Sequence, residues 1–294
     1  MNCLLCGSEK TTIVDTKIRN VKTDSIKVYI CKKCGVHFLN PRLTEEELEE
    51  YYNGEYRKEY TEKEYYSREK LEEFFKKSLP EATVRINRVK QYINKEDEIL
   101  EIGCSSGYFL YDIRNKVKTV YGTEWDENNL RYCKELGINV AKNPPDFHKK
   151  FDKIFLFHVL EHIKNPISFM KSLKEQMKDD NSMIFIEVPN NQDILLNEYD
   201  IPEFKSFYYQ SAHLWYFNTT SLSYVLNEAG YEFEIHNIQR YDISNHLYWL
   251  KHRNPGGQEY FNEIFNDELK KSYVDNLINT NRNDTLFAIA YKNK

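Results

Sequence analysis

The chain has 294 residues, a net charge of −5 and 30% charged residues. That length buries a full core, naturally one large domain with a small appendage, and the acidic balance offers no polybasic field, so nucleic acid and anionic membranes are not expected partners. No window approaches the ~18 unbroken apolar residues of a spanning helix, and the start Met1-Asn2-Cys3-Leu4-Leu5-Cys6 lacks a leader's basic and apolar regions, so a soluble, cytoplasmic protein is expected.

Residues 1–43 carry Cys3-x-x-Cys6-Gly7 and Cys31-x-x-Cys34-Gly35. A glycine directly after each second cysteine suits a turn whose N–H groups point back at the thiolates. Two such knuckles can supply four thiolates to one tetrahedral Zn²⁺. The β-branched segments Thr11–Ile18 and Ser25–Ile30 predict a hairpin between them. The segment holds 8 Lys/Arg against 3 Asp/Glu, but the charges are scattered, without the aromatic interleaving that stacks bases. A structural zinc is expected, supplying stability that ~40 residues cannot bury for themselves.

Residues 44–95 read as a helical cap or linker. Thr44 caps an acidic run through Tyr52 that Asn53-Gly54 ends. Further helices are predicted from Glu62 to Ser78, stopped before Pro80, and from Ala82 to Ile93. Many of the 23 tyrosines lie between Tyr51 and Tyr66. They could line a polar pocket, but an amphipathic packing face is the plainer reading.

From Glu96 strands and helices alternate. Strands are predicted near 98–102, 118–123, 138–141, 152–157, 182–188, 231–239 and 284–292, and helices near 107–116, 126–136, 165–177 and 218–229. This pattern predicts a doubly wound, Rossmann-like α/β sheet over 96–294, with its ligand at the carboxyl ends of the strands. Residues 240–282 form an insertion, a lid or a homodimer contact, for which Trp249 and Tyr260 are suitable anchors.

Ile99-Leu100-Glu101-Ile102-Gly103-Cys104-Ser105-Ser106-Gly107 reads as a buried strand running into a glycine-bounded turn. Glu124 closes the next strand, 21 residues beyond Gly103, where a carboxylate reaches ribose hydroxyls. A dinucleotide fingerprint needs glycine at 103, 105 and 108, whereas the chain has Ser105 and Tyr108. No Gly-Lys-Ser/Thr follows, which excludes a P-loop. Asn143-Pro144-Pro145-Asp146 reads as a loop.

The Glu-x-Gly-x-x-x-Gly turn with its following acid resembles the first motifs of class I S-adenosylmethionine-dependent methyltransferases. Phe151–Ile163, with His158-Val159-Leu160-Glu161-His162, is similar to that superfamily's fourth strand and loop; Met183–Asn190 resembles its fifth strand. His213-Leu214-Trp215-Tyr216-Phe217 resembles its His-x-x-Tyr-Phe segment. The paired CxxC is similar to a zinc-bearing branch that includes nucleotide-sugar C-methyltransferases. The resemblance implies that Glu101 holds the methionyl ammonium, that Gly103, Cys104, Ser105 and Gly107 pass under the ligand, and that Glu124 takes the ribose. It implies Trp125 against adenine, Asn143 at the adenine edge, and the His158 backbone beside the sulfonium.

A hydroxyl acceptor needs its proton removed, and His162 and His213 are the candidates. The sugar C-methyltransferases carry Tyr-x-Glu-His where this chain has Gln210-Ser211-Ala212-His213. Without that glutamate, O-methylation of a sugar, nucleotide-sugar or comparable small polar metabolite is expected. The alternatives are a protein or RNA methyltransferase recognising its target through the ribbon, and a non-catalytic nucleoside-binding regulator.

Overall fold

The computed structural model describes residues 1–19, 25–42 and 68–292. The run capped by Thr44, the tyrosine-rich stretch and the first turns of the helix expected from Glu62 lie outside the described residues.

The centre is a seven-stranded sheet built from β4 (Glu98–Ile102), β5 (Thr119–Thr123), β6 (Asn139–Ala141), β7 (Lys153–Phe157), β8 (Met183–Pro189), β10 (Tyr231–Ile238) and β11 (Thr285–Lys292). Its order is β6-β5-β4-β7-β8-β11-β10. The first five strands are parallel, and β11 runs antiparallel to both β8 and β10. All seven strands fall where the apolar runs predicted them. Alternation sorts their side chains: Leu100, Ile154 and Ile184 join the core on one face, Ile99, Phe155 and Phe185 the core on the other. Strand order reverses between β4 and β7, so their carboxyl ends frame the crevice where such sheets bind ligands.

Helix α1 spans Arg68–Val89 without a break and contains Pro80. The expected stop before Pro80 is therefore wrong. Leu71 and Phe75 pack with Tyr132 on one side of the proline; Ala82, Ile86 and Val89 enter the sheet core on the other. Burial on both flanks outweighs one lost backbone hydrogen bond. The remaining crossover helices are α2 (Tyr108–Ile113), α3 (Glu127–Glu135), α4 (Pro166–Gln176), α5 (Pro202–Tyr208) and α6 (Thr219–Glu228).

The amino-terminal hairpin forms as β1 (Thr11–Asp15) and β2 (Lys27–Cys31), shorter than its β-branched segments, followed by β3 (His37–Asn40). Its sheet continues into β9 (Trp215–Tyr216), giving the order β1-β2-β3-β9. Cys3, Cys31, Cys34, Val36 and Phe38 belong to the same buried cluster as Leu100 and Ile184. The cysteine segment thus shares its core with the large sheet.

Between β10 and β11 lie α7 (Ile243–His252) and α8 (Asp267–Asn279). Trp249 is only 3% exposed, edge-on to Phe204 at 5.1 Å and against Phe207 at 5.4 Å. Its expected role as a surface anchor is overturned, because its own chain already covers the indole; Tyr260 remains exposed. Among the described residues, no helix is long and apolar enough to cross a membrane.

Candidate active site

The turn after β4 takes left-handed backbone at Gly103 (φ 67°), Ser105 (φ 49°) and Gly107 (φ 75°). At Gly107 a Cβ would lie 2.7 Å from Ile138 Cδ1 and 2.8 Å from Cys133 Sγ, so glycine is required both sterically and conformationally. Cys104 is buried and donates its N–H to the Thr123 carbonyl. Glu124 ties this turn to the end of β5: its carboxylate accepts from the Ser105 N–H at 2.9 Å and from the Trp125 and Asp126 N–H groups at 2.8 Å each. Trp125 is exposed beside it, its indole N–H donating to the Lys142 carbonyl. Asn143 is exposed, and its N–H donates to the Asp146 carboxylate at the head of a 3₁₀ turn over Pro144–Phe147.

Glu101 is 2% exposed and its Oε2 has no hydrogen-bond partner. Burial pushes its carboxyl well above the usual range; Arg85 opposes the rise and Glu124 adds to it. A buried carboxylate oxygen without a donor costs about 1–3 kcal/mol or more, and a ligand ammonium would relieve that cost.

His158 ends β7 in left-handed backbone (φ 56°). Its ring lies 3.3 Å from both Glu161 and Glu187 and 3.0 Å from Arg240 Nη1. Burial disfavours the imidazolium, but the two carboxylates prevail and raise its pKa. Glu187, on β8, also accepts from Arg85 Nη2 at 2.9 Å and pairs with Arg88. Burial opposes its charge, yet His158 and the arginines hold it ionised, well below the usual range. Arg240 reaches back to Glu81 at 2.6 Å. These ion pairs clamp α1 over the ends of β7 and β8. Nothing local in the sequence announced the cluster, since Arg85 and Glu187 are 102 positions apart.

The two candidate bases do meet. His162 and His213 lie edge to face, with ring centroids 4.6 Å apart. Gln210 Nε2 is 2.7 Å from His213 Nε2, and Gln210 Oε1 accepts from Arg19 Nη2 at 2.7 Å. In this arrangement the amide donates to Nε2 and the imidazole proton sits on Nδ1, which is buried and without a partner. Burial lowers the pKa of both histidines, that of His213 strongly, so both are neutral near pH 7. Beside them lies Glu161, fully buried, with neither carboxylate oxygen hydrogen-bonded. It was visible in the His158–His162 loop, but its importance arises only through a residue fifty positions away.

The four cysteines at the amino end converge. Sγ separations are 3.9 Å for Cys3–Cys34 and 3.6 Å for Cys6–Cys31. Ligands at ~2.3 Å from one zinc stand ~3.8 Å apart at the corners of a tetrahedron. Gly7 and Gly35 both adopt φ 71°, closing each knuckle onto its first cysteine.

A family model described as a methyltransferase domain matches residues 57–235, and the chain belongs to that family. Its seven-stranded sheet is that of an S-adenosylmethionine-dependent methyltransferase domain. Among curated relatives, a tRNA U34 carboxymethyltransferase of Nautilia profundicola is 25% identical over 162 residues, 47% of this chain and 54% of that protein. N-methyltransferase 4 of Papaver somniferum is 26% identical over 119 residues, 36% of this chain and 33% of that protein. The chain thus spans about half or less of these relatives' lengths. A solved S-adenosylmethionine-dependent methyltransferase from Archaeoglobus fulgidus shares the fold, with a TM-score of 0.52, 20% identity and coverage of 75% of this chain and 97% of that one.

Proposed function

We propose that this chain transfers a methyl group from S-adenosylmethionine to a small polar acceptor, with O-methylation of a sugar or nucleotide-sugar favoured. The observation that carries this reading is the convergence, at the carboxyl end of one sheet, of two groups. One is a cofactor-type turn with an unpartnered buried carboxylate, Glu101; the other is the His162–His213 pair. When bound, S-adenosylmethionine supplies an electrophilic methyl on a sulfonium. Glu101 would meet the ammonium, Gly103 to Gly107 would underlie the ligand, and Glu124 would take the ribose hydroxyls. Trp125 and Asn143 would flank the adenine, and the His158 backbone would border the sulfonium. His162 and His213, neutral and in contact, would orient the acceptor hydroxyl and assist loss of its proton. Cys3, Cys6, Cys31 and Cys34 would hold a structural zinc, and the chain could pair with a second copy through its exposed insertion.

An RNA acceptor is the second reading. It is favoured by the relatives named as tRNA U34 carboxymethyltransferases, which weigh against the expectation that nucleic acid is not a partner, and by the local excess of 8 Lys/Arg over 3 Asp/Glu in residues 1–43. Incubating methyl-labelled cofactor with nucleotide-sugar, RNA and protein pools separates the two. Label in the small-molecule pool is expected; label confined to RNA would replace the first reading with the second. Calorimetry showing no S-adenosylmethionine binding at millimolar concentration would leave a non-catalytic role.

A further inference from the structure

Glu161, His162 and His213 each offer a ligand atom, and the three atoms lie within 4.8 Å of one another. Glu161 has 0% exposure and neither oxygen is hydrogen-bonded; His213 Nδ1 is also buried and unpartnered. His158 Nδ1 approaches Glu161 Oε1 at 3.3 Å but without hydrogen-bond geometry. A fully buried carboxylate whose only close cationic neighbour among the described residues is that imidazole, and whose Oε2 has no hydrogen bond, is costly to hold, and one small cation would satisfy it. Glu81, His158 and Glu187 also cluster, but there Arg85, Arg88 and Arg240 already neutralise the carboxylates.

We propose that Glu161, His162 and His213 form a binding site for one divalent first-row transition ion, distinct from the four-cysteine site. Two imidazoles and one carboxylate suit Mn²⁺, Fe²⁺, Co²⁺ or Zn²⁺ and leave coordination positions open. Ligation through His213 Nδ1 places the imidazole proton on Nε2. Gln210 must then turn its carbonyl toward the ring, away from the orientation in which Arg19 holds it. That amide is accordingly part of the site, a partner that fixes the ligand's tautomer. The site stands on these side chains alone; its use rests on the methyl-transfer reading. There the two imidazoles would serve as ligands and not as the base. An acceptor hydroxyl bound to the ion would lose its proton to solvent water more readily, and its oxygen would form the bond to the methyl as the sulfur–methyl bond breaks and S-adenosylhomocysteine leaves.

The test uses the full chain, with the four-cysteine site loaded with zinc and excess metal removed. Mn²⁺ binding is read from loss of the free-ion magnetic resonance signal, and Co²⁺ binding from visible absorption. One equivalent is expected, with a Co²⁺ spectrum lacking thiolate charge transfer. Glu161→Gln and His162→Ala should weaken binding at least about tenfold, and Gln210→Glu, which accepts the Nε2 proton and still pairs with Arg19, should tighten it. S-adenosylhomocysteine binding is measured in parallel. Its retention shows that each variant is folded, and its absence from the parent protein counts against the methyl-transfer reading, not against the ion site. No Mn²⁺ or Co²⁺ binding by the parent protein at millimolar metal overturns the proposal, as does a folded Glu161→Gln that binds like the parent. Should Glu161→Gln fail to fold, the parent's stoichiometry and Co²⁺ spectrum decide.

Discussion

Arg19 and Gln210, 191 positions apart in sequence, are joined by a 2.7 Å hydrogen bond from guanidinium to amide carbonyl. Through that bond the cysteine segment reaches His213, which Gln210 touches on its other side. Backbone bonds reinforce the link: Arg19 N–H donates to the Tyr209 carbonyl, Ser211 N–H to the Arg19 carbonyl, and Leu39 N–H to the Leu214 carbonyl. Arg19→Ala should cost about 1.5–3 kcal/mol, as for hydrogen bonds made by charged groups, while leaving S-adenosylhomocysteine affinity unchanged. Urea unfolding and calorimetry check both. Parent-like stability would mean that the 209–213 segment is held by its other contacts.

With the proposed zinc bound to the four cysteines, removing it should loosen more than the hairpin. β3 pairs with β9, and Leu214 donates its N–H to the Glu161 carbonyl, so strain in one sheet passes to the loops around His162 and His213. Hydrogen exchange after chelation should show faster uptake in 209–217 as well as in 27–40. Faster uptake confined to the hairpin would show that the two sheets behave independently.

Cofactor affinity should rise with pH above the ordinary carboxyl value of 4.5, because the folded pKa of Glu101 is raised, chiefly by burial. The sign follows from linkage. A raised folded pKa gives stability that is present below the unfolded value and is lost as pH rises through the folded one. In the proposed site the cofactor's ammonium, by contrast, needs the carboxylate. Glu101→Gln should weaken S-adenosylhomocysteine binding about tenfold to a hundredfold, the worth of a charge-assisted hydrogen bond, and flatten this pH dependence. An unchanged affinity profile would place the ammonium elsewhere.

His246 is buried, with Nδ1 2.8 Å from the Tyr273 hydroxyl, and burial lowers its pKa from 6.5 to about 4. The folded protein keeps it neutral while the unfolded chain protonates it. Stability is therefore full above pH 6.5 and lost as pH falls toward 4, by up to about 3 kcal/mol from this group. His246→Asn should be less stable than the parent at pH 8 and should lose less on acidification to pH 4.5. Parallel losses in the two proteins, measured by chemical denaturation, would show that other groups carry the acid sensitivity.

The seven strands were legible because buried parallel strands announce themselves locally, as runs such as Ile99-Leu100-Glu101-Ile102 and Ile154-Phe155-Leu156-Phe157. Both cysteine knuckles were legible for a similar reason, since each lies within five residues. Pro80 was misread because its local preference was outweighed by Phe75 and Ile86, whose burial depends on distant partners. The surface role expected of Trp249 failed in the same way: Phe204 and Phe207, which cover it, lie on another helix.

The family of this chain, its sheet and its cofactor-type turn follow from short-range pattern, in which hydrophobic period and glycine placement act over a few residues. What surrounds His162 and His213 does not. The carboxylate of Glu161 meets His213, Arg85 and Arg88 close on Glu187, and the cysteine segment braces Gln210, each through contacts spanning fifty to nearly two hundred positions. Burial and electrostatic pairing depend on proximity in space, and only the folded chain brings these groups together.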